Sequence, residues 1–314
     1  MDVRSIRSAV VTGPTGAIGA ALCRELLRAG AVVYAVARPG SARLSSLPPG
    51  VRAVSCALPD MAALPGLIPG PVDAFFHLAW AGTTGPARDD MSAQAANIAF
   101  ALDAVHAAKA LGCRVFVGAG SQAEYGRVDA PLRADTPCFP ETGYGMAKLC
   151  AGQMTRAECA KLGLRHVWAR VLSVYGPCDG DGSMLSRLID TLLDGGRPPL
   201  TAGEQLWDYL YADDAAKALR LLAERGGDGQ VYPLGSGEVR PLRAFAEAAR
   251  DAVDPALPLG FGEVPYGPRQ VMRLEADIGA LARDTGFRPE TSFETGIAET
   301  VRWRRARKTE RSAT

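Results

Sequence analysis

The sequence has no stretch that is both apolar and uncharged for the length a membrane helix needs, and this excludes a helical membrane span. After Met1-Asp2-Val3-Arg4 the first apolar run is only Ala9-Val10-Val11, too short for a secretory core, so no leader is expected. An excess of charge of one sign is also missing. The net charge is +1, which gives no overall field for nucleic acid or an acidic membrane surface. Ordered cysteine is lacking too. Seven cysteines (Cys23, Cys56, Cys113, Cys138, Cys150, Cys159 and Cys178) are scattered with no Cys-x-x-Cys pair, and the three histidines do not cluster near them. No metal site and no disulfide framework is expected, and reduced thiols point to the cytoplasm. Internal repeats and flexible linkers are absent.

What is present is a globular composition, 47% hydrophobic and 22% charged over 314 residues, enough for a large core. Ala9-Val10-Val11-Thr12 reads as a short buried strand. It runs into Gly13-Pro14-Thr15-Gly16-Ala17-Ile18-Gly19 and then a helix with Ile18, Leu22 and Leu26 on one face, ending at Gly30. Strand, glycine turn and helix together aim helix N-terminal amides at a pyrophosphate, although the glycine spacing is one residue wider than the common dinucleotide fingerprint. A second strand, 31–37, ends at Arg38, with Arg43 nearby. An acidic residue there would bind the ribose hydroxyls of NAD, whereas a guanidinium suits the 2′-phosphate of NADP.

Further strands are expected at 51–54, 72–80 and 115–121, with a helix over 96–111. Strands alternating with helices predict an α/β fold with a doubly wound parallel sheet, whose ligands sit beyond the strand carboxyl ends, where Ser121 falls. A helix from Tyr144 to about Gly163 would stack Lys148 over Tyr144. A fixed ammonium there would lower the pKa of the phenol and make it a usable proton donor. Then come a strand at 166–172, a glycine-rich loop at 178–183 and a helix at 184–193. A strand is expected at 207–211, a helix over 215–224 capped by Asp213, a strand and turn at 231–237, and a helix at 242–253. The basic tail, 302–311, reads as a solvated helix end.

In their order and spacing these motifs resemble the extended short-chain dehydrogenase/reductase family of sugar-nucleotide epimerases, dehydratases and ketoreductases. The resemblance runs over nearly the whole chain. It is carried by Thr12-Gly13-x-x-Gly16-x-x-Gly19, His77-Leu78-Ala79, Asn97, Ser121 before Tyr125-Gly126, and Tyr144-x-x-x-Lys148. It continues through Arg170 with Tyr175-Gly176-Pro177, Asp208-Tyr209 with Asp213-Asp214, and Asp277 through Gly286-Phe287-x-Pro289 to Trp303. It implies a Rossmann-type dinucleotide domain over 1–175 with a returning segment near 207–236. A smaller mixed substrate-binding region would cover 176–206 and 237–314.

The resemblance also implies roles. Tyr144 would be the general acid/base. Lys148 would lower its pKa and bind the nicotinamide ribose, and Ser121 would hold the reacting sugar oxygen. Cofactor contacts would come from Gly13, Thr15, Gly16, Ala17, Ile18, Gly19, Arg38, Leu58, Leu78, Ala79, Asn97, Lys148 and Leu172, with Asn97 bracing the site by hydrogen bonds. Gln122, Ser173, Trp207 and Arg269 would meet the substrate, assisted by Arg187 or Arg197.

Departures from the family pattern narrow the chemistry. The 4,6-dehydratases carry an Asp-Glu pair directly after the Ser/Thr position, and here Gln122 and Ala123 stand there. Alanine offers no acid or base, and Glu124, one residue on, would point the other way if the segment were strand-like. Ala57 stands where an acidic residue often binds adenine, leaving backbone near Leu58 to serve. Ser173 replaces an asparagine and Trp207 an arginine of the sugar-nucleotide region. The expectation is an NADPH-dependent ketoreductase acting on a nucleotide-linked 4-keto-6-deoxyhexose. The alternative is an epimerase retaining NAD(P). A non-catalytic NADP sensor, against which the complete Ser121, Tyr144 and Lys148 set argues, and a reductase of small carbonyls are the other readings. A homodimer is implied by the family.

Overall fold

A computed structural model of the chain describes residues 5–268 and 270–312. Seven parallel strands form the central sheet: β1 (Ser8–Thr12), β2 (Val32–Ala37), β3 (Arg52–Ser55), β4 (Ala74–His77), β5 (Val115–Ser121), β6 (Arg165–Val171) and, after four intervening short strands, β11 (Gln230–Leu234). Their order is β11-β6-β5-β4-β1-β2-β3, and every pairing is parallel. The expected doubly wound α/β sheet is therefore present. The order reverses between β1 and β4, which opens a crevice at the carboxyl ends of those two strands.

The inner strands are apolar because helices cover both faces. On one side, α1 (Ala17–Arg28) packs on α5 (Ala212–Arg225). On the other, α2 (Met91–Ala110) packs on α3 (Gly143–Leu162). Val11, Leu22, Leu26, Phe76, Val117, Leu219 and Leu222 fill the first layer. Val10, Phe75, Phe116, Val105 and Leu111 fill the second.

The second layer also carries a run of stacked rings across three strands. His77, Phe116, His166 and Trp168 lie at successive centroid separations of 6.0 Å. Trp168 lies flat over glycine. A Cβ at Gly118 would fall 2.2 Å from its ring, at Gly120 2.3 Å and at Gly152, on α3, 2.8 Å. The missing side chains let α3 approach the sheet closely.

Short strands and helices make the second region. β7 (Ser173–Tyr175) pairs with β10 (Tyr209–Tyr211), and β8 (Pro199–Leu200) pairs with β13 (Gly260–Phe261). β9 (Leu206–Trp207) lies between β12 (Arg240–Pro241) and β14 (Arg273–Leu274). With α4 (Met184–Leu193), α6 (Leu242–Val253), α7 (Gly279–Thr285) and α8 (Phe293–Ser312), they complete the chain. Leu185, Leu188, Ile189, Phe245 and Ile297 bury one face each of α4, α6 and α8 around Tyr175 and Phe293.

Several boundaries differ from the sequence expectation. The helix expected from 96 begins at Met91, because Asp90 caps it by accepting from the Ala93 amide. The strand expected over 207–211 breaks at Asp208, whose buried carboxylate accepts from the amides of Ser236, Gly237 and Ala276 and from the Ser236 hydroxyl. Asp213 does not cap α5. It lies inside the first turn and pairs with Arg24 at 2.5 Å. All seven cysteines are free. Among the described residues no acidic, histidine or cysteine cluster could hold a metal, and no helix is long and apolar enough to cross a membrane.

Candidate active site

The glycine turn closes the carboxyl end of β1. Gly13 has φ +68°, and a Cβ there would press on the Ala79 amide at 3.0 Å, so the turn and the loop after β4 meet without a side chain between them. A Cβ on Gly19 would lie 2.1 Å from the Gly13 carbonyl oxygen, so α1 can start this close to the strand only with glycine there. Gly16 is the N-cap of α1 and carries no side-chain cap, leaving the first amides, Ala17 onward, without a partner inside the helix. Its own Cβ position meets nothing closer than 3.9 Å. Uncapped amides beside a side-chain-free surface fit a pyrophosphate, so the residues present suit a dinucleotide. Thr15, Ala17 and Ile18 are half-buried along the same turn.

The loop after β4 is held by groups from two other elements. Thr12 Oγ1 accepts from the amides of Leu78 and Ala79 and bonds His77 Nδ1. This is why β4 stops at His77 instead of running to Trp80. Asn97 is buried on α2. Its Oδ1 accepts from the Ala81 amide, and its Nδ2 donates to the carbonyls of Ala81 and Ala93. Asn97 thus braces the loop. Arg38 is exposed directly after β2, and among the described residues it has no ion pair. Leu58 opens the turn after β3, half-buried, and Leu172 follows β6, its amide donating to Leu234.

Ser121 ends β5 and caps a short turn, 122–124, by accepting from the Ala123 amide, while Glu124 accepts from the Ser121 amide at 2.7 Å. This reciprocal cap turns the Glu124 carboxylate inward. There it meets Arg170 Nε at 2.6 Å and Trp168 Nε1 at 3.0 Å, both carboxylate and guanidinium being almost fully buried. Glu124 is committed to this pair and is no substitute for a dehydratase acid. Gln122 is half-buried beside Ser121.

Thr142 caps α3, which brings Tyr144 and Lys148 to the Ser121 end of β5. Their relation differs from the expectation. Lys148 Nζ donates to the Ala119 carbonyl at 2.6 Å, lies 3.8 Å over the Trp80 ring, and stands 5.8 Å from the Tyr144 ring centre. Burial pushes Lys148 down to about 7, against the opposing charge of Glu124. Tyr144 is raised, not lowered. Burial outweighs the opposing Ser121 hydroxyl and Arg88 charge, and Glu124 adds to the raising. His77, driven to about 3 by burial and then by Lys148, is neutral.

Two neighbours of Tyr144 had no signal in the sequence. The Arg88 guanidinium carbon lies 4.2 Å over its ring, and Trp80 meets it edge-on at 6.2 Å. The Glu124–Arg170 pair was legible in part, since an arginine inside a buried strand requires a partner.

On the other side, Trp207 Nε1 donates to Ser173 Oγ at 2.8 Å, so these two residues are adjacent. Trp207 also lines a cavity of about 670 Å³ with Arg187, Gln205, Tyr209 and Phe261. Ser121, Tyr144 and Lys148 do not line it. Arg197 is paired with Glu263 at 2.5 Å, and Arg269 lies outside the described residues.

A family model described as the NAD dependent epimerase/dehydratase family matches residues 9–235. The dTDP-glucose 4,6-dehydratase of Salmonella typhimurium is 27% identical over 184 residues, 56% of this chain and 51% of that protein. The chain spans about half the length of that curated relative. Among solved structures, a UDP-N-acetylglucosamine 4-epimerase from Methanobrevibacter ruminantium M1, in complex with UDP-N-acetylmuramic acid, superposes with a TM-score of 0.86 at 22% identity. The match covers 97% of this chain and 100% of that one. RMD from Pseudomonas aeruginosa, complexed with NADPH, gives 0.81 at 22% identity, covering 96% and 99%. At these identities the likeness is one of fold.

Proposed function

Because the chain belongs to the NAD-dependent epimerase/dehydratase family, as its motifs implied, we propose that it reduces a nucleotide-linked keto sugar, a 4-keto-6-deoxyhexose, with NADPH. When bound, the nicotinamide supplies a hydride to the carbonyl carbon. The chain's own residues do the rest. The Gly13–Gly19 turn would hold the pyrophosphate, Arg38 with Arg43 the 2′-phosphate, and Lys148 the nicotinamide ribose. Ser121 would hold the sugar carbonyl oxygen by hydrogen bond. Tyr144 would deliver the proton to that oxygen, its O–H bond breaking as the alcohol O–H forms. Trp207 and Arg187 would meet the nucleotide end in the cavity of the second region, with Ser173 holding the Trp207 indole.

The observation that carries this choice is Arg38, exposed and, among the described residues, without an ion pair at the end of β2, where NAD-binding sheets of this kind place a carboxylate. Dehydration is disfavoured because Ala123 has no ionisable group and Glu124 is bound to Arg170. A second reading, epimerisation with retained cofactor, would use the same three residues, and the family description names epimerases. We assign 1–175 and the returning segment near 207–236 to the dinucleotide, and the remainder to the substrate. A homodimer and a cytoplasmic location are proposed on the family resemblance.

The test is NADPH oxidation, followed by absorbance, on adding nucleotide-linked 4-keto-6-deoxyhexoses. Tyr144→Phe should lose about 10²–10⁴-fold in turnover while binding cofactor as before. No turnover with any such sugar would overturn the reductase reading. Tightly held NAD(H) with sugar interconversion and no external cofactor demand would establish the epimerase.

A further inference from the structure

The loop after β4 carries Arg88 into an unusual place. Its guanidinium carbon lies 4.2 Å over the ring of Tyr144, and one of its nitrogens, Nη1, donates to the Thr83 carbonyl at 3.1 Å. Among the described residues no carboxylate neutralises it. The turn that bears it is fixed to the catalytic helix. The neighbouring Asp89 accepts from the Gly143 amide at 3.0 Å, and Gln94 donates to the carbonyls of Gly82 and Ala87. The helix comes this close because residue 143 is glycine. A Cβ there would lie 2.7 Å from Met91 Sδ and 3.2 Å from the Arg88 carbonyl oxygen. Side-chain-to-backbone hydrogen bonds and a glycine contact therefore set where this cation stands relative to the phenol.

The lysine one turn along α3 is turned elsewhere, onto the Ala119 carbonyl and the Trp80 ring. We propose that Arg88 is a positioning residue for Tyr144: it clamps the ring against the Trp80 edge and stabilises the negative charge left on the phenolate when the proton leaves. The proposal rests on Tyr144 being the proton donor of the reaction above. In that step the phenolic O–H breaks, the substrate O–H forms, and the charge left behind faces the guanidinium rather than solvent.

The groups facing Tyr144 from each packed element are few. Arg88 comes from the 85–89 turn, Ser121 from the end of β5, Glu124 from the turn after it, and Lys148 from α3 itself. Ser121 and Arg88 lower the phenol's pKa against burial, and Glu124 raises it. Asp89 is engaged by the Gly143 amide. Arg88 is the cation seated on the ring.

Two measurements test this on the full chain. The first needs no substrate. Tyrosinate absorbance is followed after a pH jump, before alkaline unfolding, and the Tyr144 step is isolated by subtracting Tyr144→Phe on the same background. Arg88→Met should move that step up by about one pH unit or more, as expected for loss of a charge at this range, and Arg88→Lys should restore most of it. A Tyr144 step at the same pH in wild type and Arg88→Met, or no such step in wild type, overturns the proposal. The second is the pH profile of turnover in the reducing direction, where the phenol must be protonated. Arg88→Met should shift the alkaline limb upward, whereas a merely structural role would lower the rate at every pH without moving the limb. Should the reductase reading fail, the absorbance titration still decides the role of Arg88.

Discussion

The ammonium of Lys148 donates to the carbonyl oxygen of Ala119 across 2.6 Å, so α3 is tied to the sheet by a charge with almost no contact with water. That tie has a cost, because burial disfavours the charged form.

Lys148 should therefore make stability depend on pH. Its pKa falls from 10.5 to about 7 in the folded chain. Between these values the unfolded chain holds a proton that the folded chain has released, so stability rises with pH across that window. Lys148→Met should raise the melting temperature of the cofactor-free protein most below about pH 7, with the gain shrinking towards 10.5. Thermal melts across that range read it directly, and a gain independent of pH would mean no buried charge is being carried.

Glu124 and Arg170 are buried together, their side chains 1% and 4% exposed. Glu124→Ala leaves a guanidinium uncompensated and removes the acceptor of the Ser121 amide. The expected loss is about 3–5 kcal/mol of unfolding free energy. Glu124→Gln, which keeps an acceptor but not the charge, should lie between. Urea unfolding midpoints order the three proteins, and a loss under about 1 kcal/mol in Glu124→Ala would contradict the buried pairing.

Arg38 should decide between the two dinucleotides. A charge-assisted hydrogen bond to phosphate contributes about 1.5–3 kcal/mol. Arg38→Ala should then weaken NADPH binding by roughly 10–100-fold and leave NADH nearly unchanged. Fluorescence titration with both cofactors reads the difference; equal losses would place Arg38 away from the 2′-phosphate.

The sheet was legible because its strands are short, nearly unbroken apolar runs separated by glycine turns, as with Phe75-Phe76 and Val115-Phe116-Val117. Local positions were legible too: the i, i+4 spacing put Tyr144 and Lys148 on one helix, and the end of an apolar strand put Ser121 at its carboxyl end, as the structure has them. The electrostatics between Tyr144 and Lys148 was not, because helical spacing gives adjacency but not which acceptor the ammonium takes. Glu124 was misplaced by treating its segment as a strand. The Ser121-x-x-Glu124 spacing is itself a capping pattern, and it folds the carboxylate inward. The start of α2 at Met91 was missed because its first turn has no apolar repeat and is fixed by the Asp90 cap. Arg88 reaches Tyr144 only through tertiary packing, and no local pattern announces it.

Trp168 ties together positions far apart in the chain. Its indole fills the room that residues 118, 120 and 152 give up by being glycine. In relatives sharing this arrangement, bulk at any of the three should appear only with a smaller residue at 168, so the four would change in concert. A designer wishing to reshape the seam between α3 and the sheet would have to rewrite all of them at once.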